Sequence, residues 1–228
     1  MLKKSILVVF IVLFIDQALK IWIKTHMTLG QEFHIAGDWF IIHFTENNGM
    51  AFGLQFAGGY GKLALSLFRI VAVLFLGWYI NRLVKEKTSF GVIFSFSLIL
   101  AGAMGNIIDS ALYGYLFSES TYFDLARFLP EEGGYSSLLH GKVVDMLYFP
   151  ILEGNYPQWF PLWGGDSFIF FRPVFNVADS AITSGVFILL IFQRQFFQSH
   201  NEKSAENIES VEKENTAVTK NIEPGIEE

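Results

Sequence analysis

The sequence predicts an all-α polytopic membrane protein with four transmembrane helices. Hydrophobic residues make up 52% of the 228 residues and charged residues only 17%, a balance far from that of a soluble domain. A hydrocarbon core about 30 Å thick needs roughly 20 apolar residues in a helix. Four segments meet this requirement, at 5–24, 62–83, 90–109 and 173–193. They are apolar on every face, unlike the alternating strands of a membrane β-barrel.

Positive charges near the ends of the spans predict the orientation of the chain. Cytoplasmic loops carry an excess of lysine and arginine, and here these residues flank the start of the first span, the link between the second and third, and the end of the fourth (Lys3, Lys4, Arg82, Lys85, Lys87, Arg194). Both termini are therefore expected in the cytoplasm. The long segments 25–61 and 110–172 are expected outside.

The two ends of the chain are predicted to differ in character. The first apolar run continues past Asp16 to Ile23 without a small-residue cleavage site, which favours a retained helix over a cleaved signal peptide. Residues 1–198 form the predicted membrane domain. The tail 199–228 holds eight acidic residues and three lysines, thus −5 of the formal charge of −6, and such a composition predicts disorder. The membrane domain is nearly neutral, and nothing indicates nucleic-acid binding.

Charged residues lie within the first two predicted spans, among them Asp16, Lys20 and Arg69. Asp16 and Lys20 are four residues apart on one helical face, and pairing is the least costly way to keep charges at membrane depth. They are interpreted as a structural bridge. Arg69 lies about two turns inside the second span, where it can snorkel outward or pair with a phosphate group. It is assigned no catalytic role.

Asparagine and aspartate recur in pairs at the outer ends of the third and fourth spans. Asn106 and Asp109 are three residues apart, as are Asn176 and Asp179, so each pair shares a helical face. The repetition predicts one shared polar cluster. Small residues precede the first pair and predict close approach of the third helix to a neighbour (Ala101, Gly102, Ala103, Gly105).

Two aspartates beside apolar runs, Asp145 and Asp179, form a candidate catalytic pair. Two carboxylates around one water cannot both ionise cheaply, so they hold one proton between them at neutral pH. One member can take a proton from the water while the other donates to a peptide carbonyl. Amides such as those of Asn106 and Asn176 would orient the carboxylates and support the developing charge.

Other functions fit less well. The chain has no cysteine and no HExxH, and none of its five histidines lies in a predicted span, so no metal or cofactor is expected.

A transporter or channel would favour charges near the middle of the membrane and internal repeats. A non-catalytic scaffold would use its polar residues only to join helices. A presenilin-like aspartyl protease would need YD and GxGD signatures, which are absent.

Five blocks in order resemble the lipoprotein signal peptidase family, signal peptidase II. Each block is weak alone, but together they cover the chain up to about Gln195. They match the family patterns DQxxK, NxGxAFG, GNxxD, GxVxD and FNxADS at Asp16–Lys20, Asn47–Gly53, Gly105–Asp109, Gly141–Asp145 and Phe175–Ser180.

The resemblance implies an aspartyl endopeptidase of the bacterial inner membrane, with its active site at the periplasmic face. Such an enzyme removes signal peptides from prolipoproteins, cutting before a cysteine that carries a diacylglyceryl group. By motif position Asp145 and Asp179 would be the dyad. Asn106, Asp109 and Asn176 would shape the site, and Asn47 would come from the substrate-facing outer segment. Within that segment, residues 40–45 alternate as a half-buried strand does; the resemblance implies a small extracytoplasmic β-sheet cradle there.

The sequence departs from the family pattern in three ways. The arginine that follows GNxxD in the family is Ser110 here, and Arg127, Lys142 and Arg172 are candidates to replace it. Met146 stands where the family has an aromatic residue. Residues 111–140 and 151–171 form an enlarged outer loop insertion whose aromatic residues predict an ordered interfacial lid over the cleft.

Overall fold

Four apolar helices dominate the structure, a computed structural model that describes residues 1–48, 58–150, 152–170 and 173–192. They are α1 (Leu2–His26), α2 (Gly58–Lys85), α3 (Phe90–Ile108) and α4 (Val177–Phe192). The helical runs through α1, α2 and α3 are long and apolar enough to cross a membrane, whereas the described part of α4 is shorter. The chain is thus a multi-pass membrane protein with three or four spans. The predicted tail 199–228 and the motif segment 49–53 lie outside the described residues.

The helices are arranged around α3. This helix packs against α1 and α2, and 39% of its most apolar stretch is buried, compared with 17% for α1 and 11% for α2. Helices α1 and α2 therefore expose most of their apolar side chains, as helices in contact with lipid do.

Glycines bring α3 and α4 into close contact, which confirms the predicted small-residue approach. A Cβ atom added at Gly102 would lie 2.1 Å from the carbonyl oxygen of Ala178, and one added at Gly185 would lie 2.6 Å from that of Ser95. Only a residue without a side chain allows the two backbones this separation. The contact places the first turn of α4 beside α3.

The helical run of α3 extends beyond the predicted end at residue 109. It continues as a π-helix, Asp109–Tyr113, and a short turn, Gly114–Leu116. The predicted outer segment that starts at residue 110 is therefore helical at first. Asp109 and Ser110 suggested a helix end because they are polar, but both are buried and have partners inside the protein. π-helical turns are frequent at functional sites.

A four-stranded antiparallel sheet joins the two segments that are predicted to lie outside the membrane, 25–61 and 110–172. Its strands are β1 (Glu32–Ala36), β2 (Phe40–Asn47), β3 (Val143–Tyr148) and β6 (Val174–Phe175), in the order β1-β2-β3-β6. The predicted strand at 40–45 is confirmed as part of β2. A separate hairpin pairs β4 (Leu152–Asn155) with β5 (Ser167–Phe170).

The sheet is more extensive than the sequence pattern indicates, because β3 comes from the second outer segment. Asp145 was predicted at the edge of an apolar run, but it lies in the middle of β3, opposite Thr45 of β2. The β-branched residues Val143 and Val144 favour this extended conformation. One member of the candidate pair is thus held by a sheet and the other by a helix.

The insertion at 111–140 packs against the outer end of α1 and the sheet. Phe117 joins a buried cluster with Met27 of α1, Phe44 of β2 and Val144 of β3. Backbone hydrogen bonds also hold it, for example from the Leu29 amide to the Thr121 carbonyl at 2.9 Å. Its predicted ability to cover a substrate cleft stays a prediction.

Replacing Gly102 with alanine should destabilise the protein, because the new methyl group would overlap the Ala178 carbonyl. Overpacking of this kind costs about 1–3 kcal/mol. Gly77 of α2 is the matched control, since a Cβ there meets nothing within 4 Å, and alanine should be neutral or stabilising by up to about 1 kcal/mol. Unfolding of both variants in detergent would measure the difference; equal stabilities would show that the α3–α4 contact is not tight.

Candidate active site

A buried lysine joins two aspartates where α1 meets the end of α3. Lys20 Nζ lies 2.9 Å from Asp16 Oδ2 and 2.7 Å from Asp109 Oδ2, and all three side chains are fully buried. Gln17 donates to Asp109 Oδ1 at 2.9 Å and accepts from Tyr113. Opposite charges and hydrogen bonds together make this burial tolerable. The cluster links α1 to α3; the structural role of the pair Asp16 and Lys20 stays a prediction.

The same two aspartates hold the backbone next to the candidate dyad. Asp16 Oδ1 accepts a hydrogen bond of 2.9 Å from the amide of Ala178, in the first turn of α4. A carboxylate at this place satisfies an orphan helix N–H and complements the helix dipole. Asp109 Oδ2 accepts from the amide of Val144 at 3.3 Å. Each contact lies one residue before a candidate catalytic aspartate, Asp179 or Asp145.

Two asparagines connect the carboxylates of Asp145 and Asp179. Asn176 Nδ2 donates to Asp145 Oδ1 at 2.7 Å and to the side-chain oxygen Oδ1 of Asn106 at 3.1 Å. Asn106 Nδ2 donates to Asp179 Oδ1 at 2.8 Å, and Lys20 Nζ donates to Asn106 Oδ1 at 3.1 Å. The predicted polar cluster is therefore present. Its hydrogen bonds run from one aspartate to the other and back to the buried lysine.

Asn47 brings the outer segment to the site. It stands at the end of β2, and its Nδ2 donates to Asp145 Oδ2 at 3.3 Å. Asp145 thus receives amide hydrogen bonds on both carboxylate oxygens, from Asn47 and Asn176. These bonds fix the orientation of the side chain at the surface of the sheet.

Asp145 is poised to hold a proton near neutral pH. Burial, and after it the negative charge of Asp179, raise the pKa of Asp145 to about 7, against the opposing effects of Asn47, Lys20 and Asn176. Desolvation and a nearby like charge both disfavour the ionised carboxylate. A carboxyl group that keeps its proton at physiological pH can serve as a general acid.

The structure brings all eight sequence-predicted residues into contact with one another or with the backbone beside the dyad. Two further residues emerge only in three dimensions, Gln17 and Tyr113, which complete the lysine cluster. Arg69, to which the sequence assigned no catalytic role, lies with its Nη1 3.4 Å from Ser110 Oγ. The sequence feature that could have identified Gln17 is its position within the DQxxK block.

Two of the three candidates to replace the arginine missing at Ser110 have other partners in the described part of the chain. Arg127 is largely exposed and lies 3.9 Å from Glu132. Lys142 pairs with Glu46 and Glu119, and Arg172 lies outside the described residues. Among the described residues, no group of histidine, cysteine, aspartate and glutamate has the arrangement of a metal site.

Comparisons with known proteins agree with the motif resemblance. The family described as Signal peptidase (SPase) II matches residues 8–195. A lipoprotein signal peptidase from Porphyromonas gingivalis is 49% identical over 184 residues, which are 80% of this chain and 79% of that protein. One from Amoebophilus asiaticus is 38% identical over 192 residues, 83% of this chain and 77% of that protein.

Two solved structures of a bacterial membrane enzyme share the fold. One, determined at 1.9 Å resolution, has a TM-score of 0.55 and 26% identity, and the match covers 83% of this chain and 91% of that one. The other has a TM-score of 0.54 and 24% identity, with 85% and 88% covered. The apolar helices with a small antiparallel sheet are therefore a known membrane-enzyme architecture.

Replacing Lys20 with methionine should destabilise the protein strongly, because Asp16 and Asp109 would keep buried charges without a counter-ion. Loss of one partner from a buried ion cluster costs about 3–5 kcal/mol. Lys3→Met, at an exposed position of the same helix, serves as the control and should have little effect. Unfolding in mixed micelles would measure both variants, and equal stabilities would refute the importance of the cluster.

Proposed function

The chain belongs to the signal peptidase II family, and from this premise we propose that it is a membrane aspartyl endopeptidase whose catalytic dyad is Asp145 and Asp179. Its substrates would be prolipoproteins with a diacylglyceryl-modified cysteine, cut on the N-terminal side of that cysteine. Family membership makes the protein a protease of lipoprotein processing. The identity of the dyad and the lipid requirement are the parts that we propose.

One observation carries the choice of dyad: the hydrogen-bonded path from Asp145 through Asn176 and Asn106 to Asp179. It joins two carboxyl groups from different elements, and one of them has a pKa raised to about 7. Two interacting carboxyl groups that share one proton are the requirement for activating water without a metal.

The reaction follows from that shared proton. The ionised carboxylate takes a proton from a bound water as the water oxygen attacks the carbonyl carbon of the scissile bond. The protonated carboxyl group gives its proton to the carbonyl oxygen, so a neutral tetrahedral diol forms. The C–N bond then breaks: the protonated member of the dyad gives its proton to the leaving nitrogen of the modified cysteine, the ionised member takes a hydroxyl proton from the diol, and the signal peptide leaves with a new carboxyl group while the dyad again holds one proton.

The membrane setting suits this substrate. The acyl chains of a lipid-modified precursor can stay in the bilayer while its scissile bond reaches the dyad at the junction of α3, α4 and the sheet. The lysines and arginines at the other ends of α2 and α3 favour an outward-facing site by the positive-inside rule. The proposed location is the bacterial inner membrane, with both termini cytoplasmic and the site on the periplasmic face.

A transporter or a structural scaffold is less well supported. The candidate aspartates lie in a strand and in the first turn of a helix, rather than at the middle of a span. A scaffold has no need for a carboxyl group with a pKa near 7, because such a group makes the folded protein less stable as pH rises from about 4 to about 7.

Either Asp145→Asn or Asp179→Asn should abolish cleavage, because the amide has the same volume but cannot exchange a proton with water. The measurement is turnover of a diacylglyceryl-modified precursor by purified enzyme, with the unmodified precursor alongside. Asp166→Asn, at an exposed position, is the control and should keep full activity. Retained cleavage in either dyad variant would contradict the proposed mechanism.

Activity should fall as pH rises through about 7. Because the pKa of Asp145 is raised to about 7 in the folded protein, the dyad loses its shared proton above that pH, and no acid remains to protonate the carbonyl oxygen. The alkaline limb of kcat/KM against pH would measure this value. A profile that stays flat from pH 6 to about 9, with the protein folded throughout, would show that Asp145 does not act in this way.

A further inference from the structure

The insertion at 111–140 contains a loop, residues 117–129, that has apolar side chains on both of its faces. Its inner face belongs to the protein interior, since Phe117 and Ala126 are buried. Its outer face exposes five large apolar side chains within the eight positions 122–129 (Tyr122, Phe123, Leu125, Phe128, Leu129). Soluble surfaces seldom concentrate exposed apolar side chains in this way, and such a surface marks a site of interaction.

A hydrogen-bonded backbone holds these side chains outward. The Ser118 amide donates to the Arg127 carbonyl at 2.9 Å, which closes the loop. At its tip, Thr121 Oγ1 accepts hydrogen bonds from the amides of Phe123 and Asp124, at 3.1 and 2.9 Å. The turn thereby satisfies its own backbone donors, while the side chain of Phe123 is 89% exposed. The loop is built to present this ring.

The tip of the 117–129 loop is attached to the C-terminal end of α1, which is His26. The Leu29 amide donates to the Thr121 carbonyl at 2.9 Å. Lys24 Nζ donates to Ser120 Oγ at 2.7 Å. The exposed turn is therefore fixed within a few residues of the point where a membrane span ends.

This end of α1 lies at the level of the membrane interface. The helix has 25 residues, which is about 38 Å at 1.5 Å per residue, whereas the hydrocarbon core is about 30 Å thick. In its last turns Trp22 is exposed and stacks on His26, with ring centroids 5.2 Å apart. Such amphipathic rings are enriched at the height of the lipid headgroups. The loop, attached three residues further on, lies at the same height.

The composition of the outer face suits lipid. The charged residues in positions 122–129 are Asp124 and Arg127, and both have partners within the insertion. Asp124 Oδ2 accepts from Thr121 Oγ1 at 3.3 Å, and Arg127 lies 3.9 Å from Glu132. The remaining exposed side chains are aromatic rings and leucines, which are the residues that segments lying in the membrane interface bury among the acyl chains.

We propose that the outer face of the 117–129 loop is a membrane-binding surface, through which Phe123 and its apolar neighbours insert into the bilayer interface beside α1. The occupant of this face is the lipid of the surrounding bilayer, on the side of the membrane that holds the candidate active site. The proposal differs from the predicted lid over the cleft, because here the exposed rings contact lipid and not substrate. It does not depend on the choice of the dyad.

Contact with lipid at this loop would fix the height of the sheet above the bilayer. Phe117 of the loop packs in one buried cluster with Phe44 of β2 and Val144 of β3. Val144 is the residue before Asp145. An anchored loop would therefore hold the strand of one candidate catalytic residue at a constant depth, where a substrate embedded in the same bilayer can reach it.

The test uses the full-length protein in bilayers of phosphatidylethanolamine and phosphatidylglycerol. The chain has no cysteine, so Phe123→Cys alone can carry an environment-sensitive fluorophore. Glu131→Cys, at an exposed polar position of the same insertion, is the control for water. Phe68→Cys, on the exposed apolar surface of α2, is the control for lipid. Two quenchers are compared, iodide in the buffer and a phospholipid with a nitroxide near the top of its acyl chain.

The label at position 123 should emit at shorter wavelengths than the label at position 131, because insertion removes it from water. It should also lose most of the quenching by iodide, as at position 68, and gain quenching by the nitroxide lipid. Leu125→Cys, at a second exposed position of the loop, should behave in the same way and serves if Phe123→Cys does not fold.

Two results would overturn the proposal. Iodide quenching as strong as at position 131 would show that the loop lies in water. Protection from both quenchers would show that protein covers the outer face, either this chain across its own cleft or a second copy. Neither result would affect the proposed peptidase function, which is tested separately by cleavage of the precursor.

Discussion

The structure depends on one buried ammonium group shared by two carboxylates. Lys20 pairs with Asp16 and Asp109, and all three side chains are fully buried; each carboxylate also accepts a hydrogen bond from a backbone amide. Those amides belong to Ala178 and Val144, the residues before Asp179 and Asp145. Charge pairing deep in the protein thus fixes the positions of both candidate catalytic groups, although Lys20 touches neither of them.

The carboxyl groups that support the fold are therefore different from those proposed to carry out the reaction. The carboxylates of Asp16 and Asp109 pair directly with Lys20 and are fully buried, whereas Asp145 is bound by the amides of Asn47 and Asn176 and is subject to the negative charge of Asp179. Burial and that like charge raise the pKa of Asp145 to about 7. Because its pKa is higher in the folded than in the unfolded protein, Asp145 reduces stability as pH rises from about 4 to about 7. The close contact of α3 with α4 at Gly102 and the ion pairs of Lys20 stabilise the fold and offset this loss of stability.

Local pattern was enough to predict the helices, the strand at 40–45 and the polar residues that meet at the site, because span length, alternation and residue spacing are local properties. It was not enough to predict the strand that holds Asp145 or the direction in which the Arg69 side chain points. The strand containing Asp145 is defined by pairing with β2, about a hundred residues earlier in the chain. The direction in which Arg69 points depends on which face of α2 meets the protein. The extension of α3 to Leu116 was missed because buried partners override polarity at Asp109 and Ser110.

The most direct test of the account is the titration of the Asp145 carboxyl group by infrared spectroscopy, in the wild-type protein and in Asp179→Asn. If the two groups share a proton, removal of the neighbouring charge should lower the pKa of Asp145 from about 7, and burial should keep it above the ordinary value for aspartate of about 3.9. An identical pKa in both proteins would show that the carboxyl groups do not interact, and the dyad would have to be abandoned.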